Sequence, residues 1–248
     1  MTLLSSFRSN ARVAVVGASG GIGRAFVDLL QADPNVLSVC AFSRSCLKFE
    51  SAKVNWYGID LTDESSVAAA AEWASRDSSF DLVIVASGIL HRDDQIRPEK
   101  SLREITPGSM AEVLAINTIG PVLVAKRFLP TLVKDHKSAF AVLSARVGSI
   151  SDNRLGGWIS YRMSKAALNM SVRTLAIEHA RLNRASTILA LHPGTVDTAL
   201  SKPYASRVEE SGLFSPAVAA GKLLQVIDDL GPDSSGGFFA YDGSRIEF

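Results

Sequence analysis

Val13-Ala14-Val15-Val16-Gly17-Ala18-Ser19-Gly20-Gly21-Ile22-Gly23 runs a β-type segment directly into a glycine cluster, and Arg24-Ala25-Phe26-Val27-Asp28-Leu29-Leu30 continues with helix-like patterning. Strand, glycine turn and helix start together make an anion site. The unpaired N–H groups and dipole of a first helical turn face the ligand, and missing Cβ atoms let a phosphate approach the backbone. The spacing G-x-x-x-G-x-G differs from the G-x-G-x-x-G dinucleotide fingerprint but serves the same physics one turn later. Gly17, Ser19, Gly20, Gly21, Ile22 and Gly23 are therefore the expected phosphate cradle. The same residues satisfy G-x-S-x-G, the strand-to-helix elbow of α/β-hydrolases, with Ser19 as nucleophile. That elbow would follow the first strand, and only His192 combines a late position with a strand end for a triad base.

A dinucleotide site predicts a discriminating residue about 20 positions further on, at the end of the second strand. Counting from Gly23 reaches Ser43 and Arg44. No carboxylate is present there for the ribose 2′-OH of NAD, whereas a guanidinium is present for the 2′-phosphate of NADP. NADP(H) is the expected cofactor, with NAD(H) second.

Outward from this unit, short β-type runs recur at 13–16, 36–42, 54–59, 82–86, 140–143, 187–191 and 238–241, with helix-length stretches between them. Such alternation reads as βαβ units around a parallel sheet covered on both faces. About seven strands fit a single doubly wound α/β domain of Rossmann type over residues 1–248. A closed (β/α)₈ barrel has similar length, and the phosphate-binding glycines decide against it. Thr62 before Asp63 and Glu64, Thr106 before Pro107, and Ser215 before Pro216 are expected helix caps. Ala220, Leu223, Leu224 and Ile227 form one apolar helical stripe.

Composition agrees with one sizeable core: 248 residues, 47% hydrophobic and 21% charged. Twenty-six basic against 25 acidic residues leave no general attraction to nucleic acid or anionic lipid. The longest uncharged stretch, 113–125, is shorter than the roughly 18 residues that span a bilayer, and the first ten residues lack a signal-peptide core. The expectation is a cytoplasmic protein with neither nucleic-acid nor membrane partners. Cys40 lies in an apolar run and reads as a buried thiol. The four histidines are too far apart in sequence for a local metal pair, so no metal site is expected.

Tyr161 and Lys165 stand four residues apart in a helical stretch, which puts both side chains on one face. An ammonium beside a phenol favours the phenolate and brings an otherwise weak acid toward neutral pH. Asn117 sits in a helix interior, and Pro121, four residues on, has no N–H for the Asn117 carbonyl.

With the glycine cluster, these residues make the chain resemble the short-chain dehydrogenase/reductase family along nearly its whole length. The resemblance implies a hydride transfer between NADP(H) and a small-molecule carbonyl or alcohol substrate. Tyr161 would be general acid/base, Lys165 would hold the nicotinamide ribose, and Asn117 would hold a relay water. It further implies cofactor contacts at Asp60 and Leu61, at Ala86, Ser87 and Gly88, and at Pro193, Gly194, Val196 and Thr198. The segments 156–161 and 238–243 look closest to the branch with C-signal proteins and sniffer-type carbonyl reductases. Residues 199–214 would form a substrate lid, and helices around 107–135 and 160–182 would build a homodimer or homotetramer. His91, in the loop 88–91, reads as a plain loop histidine, with substrate contact as the alternative.

One position departs from the pattern. The family's catalytic serine stands three residues before a glycine, and here that residue is Ala145 in Leu143-Ser144-Ala145-Arg146-Val147-Gly148. Ser144 is the expected substitute, with Ser149 or a substrate group as alternatives. The missing hydroxyl also raises the reading of a cofactor-binding regulatory or signalling protein with weak catalysis.

Overall fold

A computed structural model of the chain describes residues 2–76, 78–92, 95–203 and 212–248. Its strands are β1 (Ala11–Val16), β2 (Val36–Ser43), β3 (Val54–Gly58), β4 (Leu82–Val85), β5 (Ser138–Leu143), β6 (Ser186–His192), β7 (Thr195–Val196), β8 (Leu213–Phe214) and β9 (Gly237–Ala240). The helices are α1 (Gly21–Ala32), α2 (Glu64–Ser75), α3 (Pro107–Leu114), α4 (Gly120–Phe128), α5 (Ile159–His179) and α6 (Pro216–Asp229). Seven strands form one sheet in the order β3-β2-β1-β4-β5-β6-β9, and every neighbouring pair is parallel. This is the doubly wound, single-domain α/β architecture expected from the sequence, and each of the seven β-type runs falls in this sheet.

Alternation along the strands builds two cores. From β1, Ala14 and Val16 point to a layer holding Val67 and Ala70 of α2, Phe128 of α4, and Leu168 and Val172 of α5. Val13 and Val15 point to the opposite layer, with Phe26 and Leu30 of α1 and the stripe Ala220, Leu223, Leu224 and Ile227 of α6. All four stripe residues are buried, each contributing about 1.5–3 kcal/mol when large and apolar. Cys40 is buried within the first layer.

Thr106 and Ser215 cap α3 and α6 by accepting from the N–H groups of Ser109 and Val218, each ahead of a proline in the first turn. The expected cap at Thr62 moves one residue on. Asp63 caps α2 and accepts from the Ser65 N–H, while Thr62 donates its hydroxyl to Asp60 at 2.7 Å.

Helical structure continues from α3 through a π turn at Ala115–Ile119 into α4. The resulting 25-residue run, Pro107–Thr131, is by length and hydropathy long and apolar enough to cross a membrane, longer than the uncharged stretch alone indicated. Here Val113, Asn117, Pro121, Val124 and Phe128, at helical spacing, are all buried, so the run serves as a core helix of the domain. Within the π turn the Gly120 N–H reaches back five residues to the Ala115 carbonyl, directly ahead of Pro121, which has no N–H to give to the Asn117 carbonyl.

Candidate active site

The sheet order reverses direction between β1 and β4, the switch point where open α/β sheets hold ligands at the C-terminal ends of their strands. The glycine cluster lies there. Gly17 leaves β1 with φ +91°, and a Cβ on Gly23 would stand 2.1 Å from the Gly17 carbonyl oxygen. Helix and strand can approach this closely only without those side chains. Gly20 is the N-cap of α1 and has no side chain to cap it, and no acidic residue occupies the first turn. The N–H groups of Gly21, Ile22 and Gly23 therefore open a helix with no side-chain cap at its start.

A 540 Å³ cleft extends from this turn to Ser43, Arg44, Asp60 and Leu61. Arg44 is exposed at its edge, immediately after the buried Ser43. Ser43 is held by Trp56, whose indole N–H donates to its hydroxyl at 2.9 Å. Hydrogen bonds from the Thr62 hydroxyl and N–H, with Arg44 a lesser contributor, keep Asp60 below the usual carboxylate range. A donor-rich helix start, a bare glycine wall and an exposed guanidinium on one cleft fit a dinucleotide carrying an extra phosphate.

A second cleft of 350 Å³ shares Gly20, Ala86, Ser87 and Gly88 with the first and continues to Ser144, Tyr161, Lys165, Pro193 and Thr198. The residues expected at opposite ends of the cofactor thus face one continuous groove. Gly194 and Val196 belong to the same post-β6 segment, which β7 pairs with β8.

Tyr161 and Lys165 are buried on one face of α5, with the ammonium 5.8 Å from the phenol ring centre. Lys165 Nζ donates to the Leu143 carbonyl at 2.9 Å. Burial pulls its pKa from 10.5 down to about 8. Burial also pushes the Tyr161 hydroxyl well above its usual 10. The expectation of a Lys165-lowered Tyr161 is thereby corrected for the ligand-free protein: burial shifts the phenol the other way and favours its protonated form.

Asn117 is fully buried, and its side chain clamps the Ile89 backbone. Its Oδ1 accepts the Ile89 N–H at 2.7 Å, and its Nδ2 donates to the Ile89 carbonyl at 2.8 Å and to Ser164 Oγ at 3.1 Å. The amide therefore fixes the loop after β4, beside Gly88, whose Cβ position lies 3.4 Å from Asn117 Oδ1 and 3.6 Å from Lys165 Nζ.

Ser144 lines the groove, but its hydroxyl donates to Asn169 Oδ1 at 2.7 Å. A serine has one proton to donate, and this one is engaged. Ser149 donates instead to the Glu247 carbonyl, at 2.5 Å. Both candidate substitutes for the missing serine thus direct their hydroxyls to partners within the protein. Ala145 is extended at the start of the short turn Arg146–Gly148. That turn lies against α5, where a Cβ on Gly148 would meet Lys165 Cβ at 2.6 Å.

The hydrolase reading fails on distance. β1 and β6 are separated by β4 and β5, three inter-strand steps or roughly 14 Å, so His192 at the end of β6 stands beyond hydrogen-bond reach of Ser19. His91 lies in the groove wall and bonds through Nε2 to the Ala199 carbonyl at 3.0 Å. Of the expected lid at 199–214, residues 204–211, including Tyr204, lie outside the described residues.

α5 begins from an unusual turn. Gly156, Gly157 and Trp158 have φ of 63°, 67° and 54°, a left-handed path that costs a bulky residue about 1–2 kcal/mol. Trp158 is the N-cap of α5, and its ring lies edge-on to Tyr161, 6.4 Å between centres. Asn169 and the Ile89 backbone are parts of the site that no sequence motif announces.

Comparison with known proteins agrees with this geometry. Residues 11–209 match the short chain dehydrogenase family. The chain is 32% identical over 238 residues to 1-hydroxy-2-glutathionyl-2-methyl-3-butene dehydrogenase of Rhodococcus sp. (strain AD45), covering 95% of this chain and 99% of that protein. It is 38% identical over 146 residues to C-signal of Myxococcus xanthus, covering 59% of this chain and 82% of that one. The crystal structure of NADPH-bound carbonyl reductase from chicken fatty liver superposes with a TM-score of 0.82 at 29% identity, over 97% of this chain and all of that one. With the family's match spanning β1 to β6, the glycine turn and α5, this chain belongs to the short chain dehydrogenase family.

Proposed function

We propose that the protein is an NADP(H)-dependent oxidoreductase that interconverts a small carbonyl substrate and its alcohol, with Tyr161 as proton donor and acceptor. The observation that carries this reading is the continuity of the groove. One cleft joins Arg44 and the uncapped start of α1 to Tyr161 and Lys165. The bound cofactor supplies the hydride. Arg44 holds the 2′-phosphate, the first turn of α1 holds the pyrophosphate, and Lys165 holds the ribose. Tyr161, kept protonated by burial, is in the form that gives a proton to a carbonyl oxygen. Because the Asn117 amide is engaged by Ile89 and Ser164, the path to solvent in this reading runs through its main-chain carbonyl.

NADPH oxidation against a panel of aldehydes, ketones and quinones, with NADH as control, tests the proposal. Turnover with NADPH is expected, and Tyr161→Phe is expected to lose about 10²–10⁴-fold of it, the usual share of a positioned acid. Full turnover by that variant would overturn the mechanism. Ala145, with the Ser144 and Ser149 hydroxyls directed elsewhere, favours a second reading as a cofactor-binding signalling protein. NADPH binding without turnover across the whole panel would select it.

A further inference from the structure

The turn that delivers Tyr161 to the groove is held from outside its own helix. α5 has no side-chain cap of its own, because its N-cap is the left-handed Trp158. The cap comes from Glu99, 61 residues upstream and only 3% exposed. Glu99 Oε2 accepts the Ser160 N–H at 3.2 Å, and Oε1 accepts the Ser160 hydroxyl. The Glu99 main-chain carbonyl accepts the Trp158 N–H at 2.6 Å. From the other side, Arg162 donates to the carbonyls of Gly156, Gly157 and Val147 at 3.0–3.2 Å. Three successive left-handed residues, the last of them three positions before Tyr161, are thus held between the Glu99 main-chain carbonyl and the Arg162 guanidinium, while the buried Glu99 carboxylate holds Ser160.

A stable helix does not need this arrangement, since a serine or aspartate at the N-cap would satisfy the same N–H groups without a left-handed tryptophan. The turn instead sets where the first residues of α5 point. Ser160 is fixed through both its N–H and its hydroxyl, and Tyr161 is the next residue, so the contact defines the backbone from which the phenol projects. Glu99 also places a carboxylate at the positive end of a 21-residue helix, where burial is compensated by charge-assisted hydrogen bonds.

We propose that Glu99, acting through Ser160, is a positioning residue for Tyr161. The proposal rests on the reading of Tyr161 as the proton donor. The test compares Glu99→Ala, Glu99→Gln and Ser160→Ala in the full chain. The readouts are kcat, KM, NADPH affinity by fluorescence titration, and hydrogen exchange of the cofactor-free protein. Glu99→Ala should lower kcat at least tenfold, change NADPH affinity less than twofold, and speed exchange at 158–162 while the sheet stays protected. Ser160→Ala should lose less. Glu99→Gln, which keeps the shape and an acceptor for the Ser160 N–H, should recover most of the rate and guards against a folding failure. In a Tyr161→Phe background, Glu99→Ala should bring no further loss, because both act on one step.

Unchanged kcat in Glu99→Ala beside an inactive Tyr161→Phe would overturn this proposal alone. So would losses that multiply in the double variant, or NADPH affinity falling in parallel with kcat. Full turnover by Tyr161→Phe would instead overturn the proton-donor reading on which it rests.

Discussion

Lys165 Nζ donates to the carbonyl of Leu143, the last residue of β5, at 2.9 Å. This bond ties the helix that carries Tyr161 to the strand end that precedes Ala145, and it holds a buried ammonium whose pKa lies near 8. Between pH about 8 and 10.5 the unfolded chain retains a proton that the folded protein has released. Stability should therefore rise with pH through that window, and the cost of burying the charge is fully present below it. Ligand binding should show the opposite trend. NADPH affinity should weaken as pH rises past 8, by up to about tenfold per unit, and Lys165→Met should flatten the profile. Fluorescence titrations from pH 6.5 to 9.5 would measure both.

Restoring the missing hydroxyl should raise turnover. An oxyanion donor is worth about 10²–10³ in kcat where it has been removed from other enzymes, so Ala145→Ser should gain tenfold or more on a carbonyl substrate. Ser144→Ala should act on stability instead, because its hydroxyl serves Asn169; leaving that buried acceptor unpaired costs about 1–3 kcal/mol. Steady-state kinetics and thermal melts of the two variants separate the effects.

Arg44→Asp should invert cofactor preference. Removing a guanidinium from a phosphate and supplying a carboxylate to a ribose hydroxyl each change binding by about 1.5–3 kcal/mol. The NADP/NAD ratio of kcat/KM should fall at least a hundredfold. An unchanged ratio would remove Arg44 from the phosphate site.

Gly23→Ala should be far more damaging than its single methyl implies, because that methyl would lie 2.1 Å from a main-chain oxygen. Loss of NADPH binding together with a lowered melting temperature is expected. Gly20→Ala, whose Cβ would lie 3.4 Å from the nearest atom, should keep the fold.

The sheet was legible because its strands are buried on both faces and read as continuous apolar runs. β7 and β8, two residues each, carry no periodicity and escape such a reading. The α2 cap was misplaced by one residue because Thr62 and Asp63 both suit the role, and only Asp60, which takes the Thr62 hydroxyl, separates them. The glycine turn, Arg44, Tyr161 and Lys165 were legible because phosphate binding and paired side chains on a helix impose local spacings. Asn169, the Ile89 backbone and Glu99 were not. Their partners lie 25, 28 and 61 residues away in sequence, and long-range hydrogen bonds leave no local pattern. The direction of the Tyr161 shift was hidden for a related reason, since depth of burial is a property of the assembled layers.

The pairing of β7 with β8 bears on how this scaffold could acquire new substrates. Val196 is registered with Phe214, Asp197 N–H donates to the Phe214 carbonyl at 2.8 Å, and the Phe214 ring packs edge-on against Tyr241, 4.7 Å between centres. The two ends of the intervening stretch are therefore fastened to each other and to the domain, independently of what the stretch contains. Its closure is already established by the ladder, so changing its length adds little entropy cost. If the stretch meets the substrate as the sequence suggests, segments exchanged between Lys202 and Leu213 would leave Thr198, Ala199 and Leu200 in the groove wall and Tyr161 and Lys165 in place, a built-in cassette for changing substrate contacts.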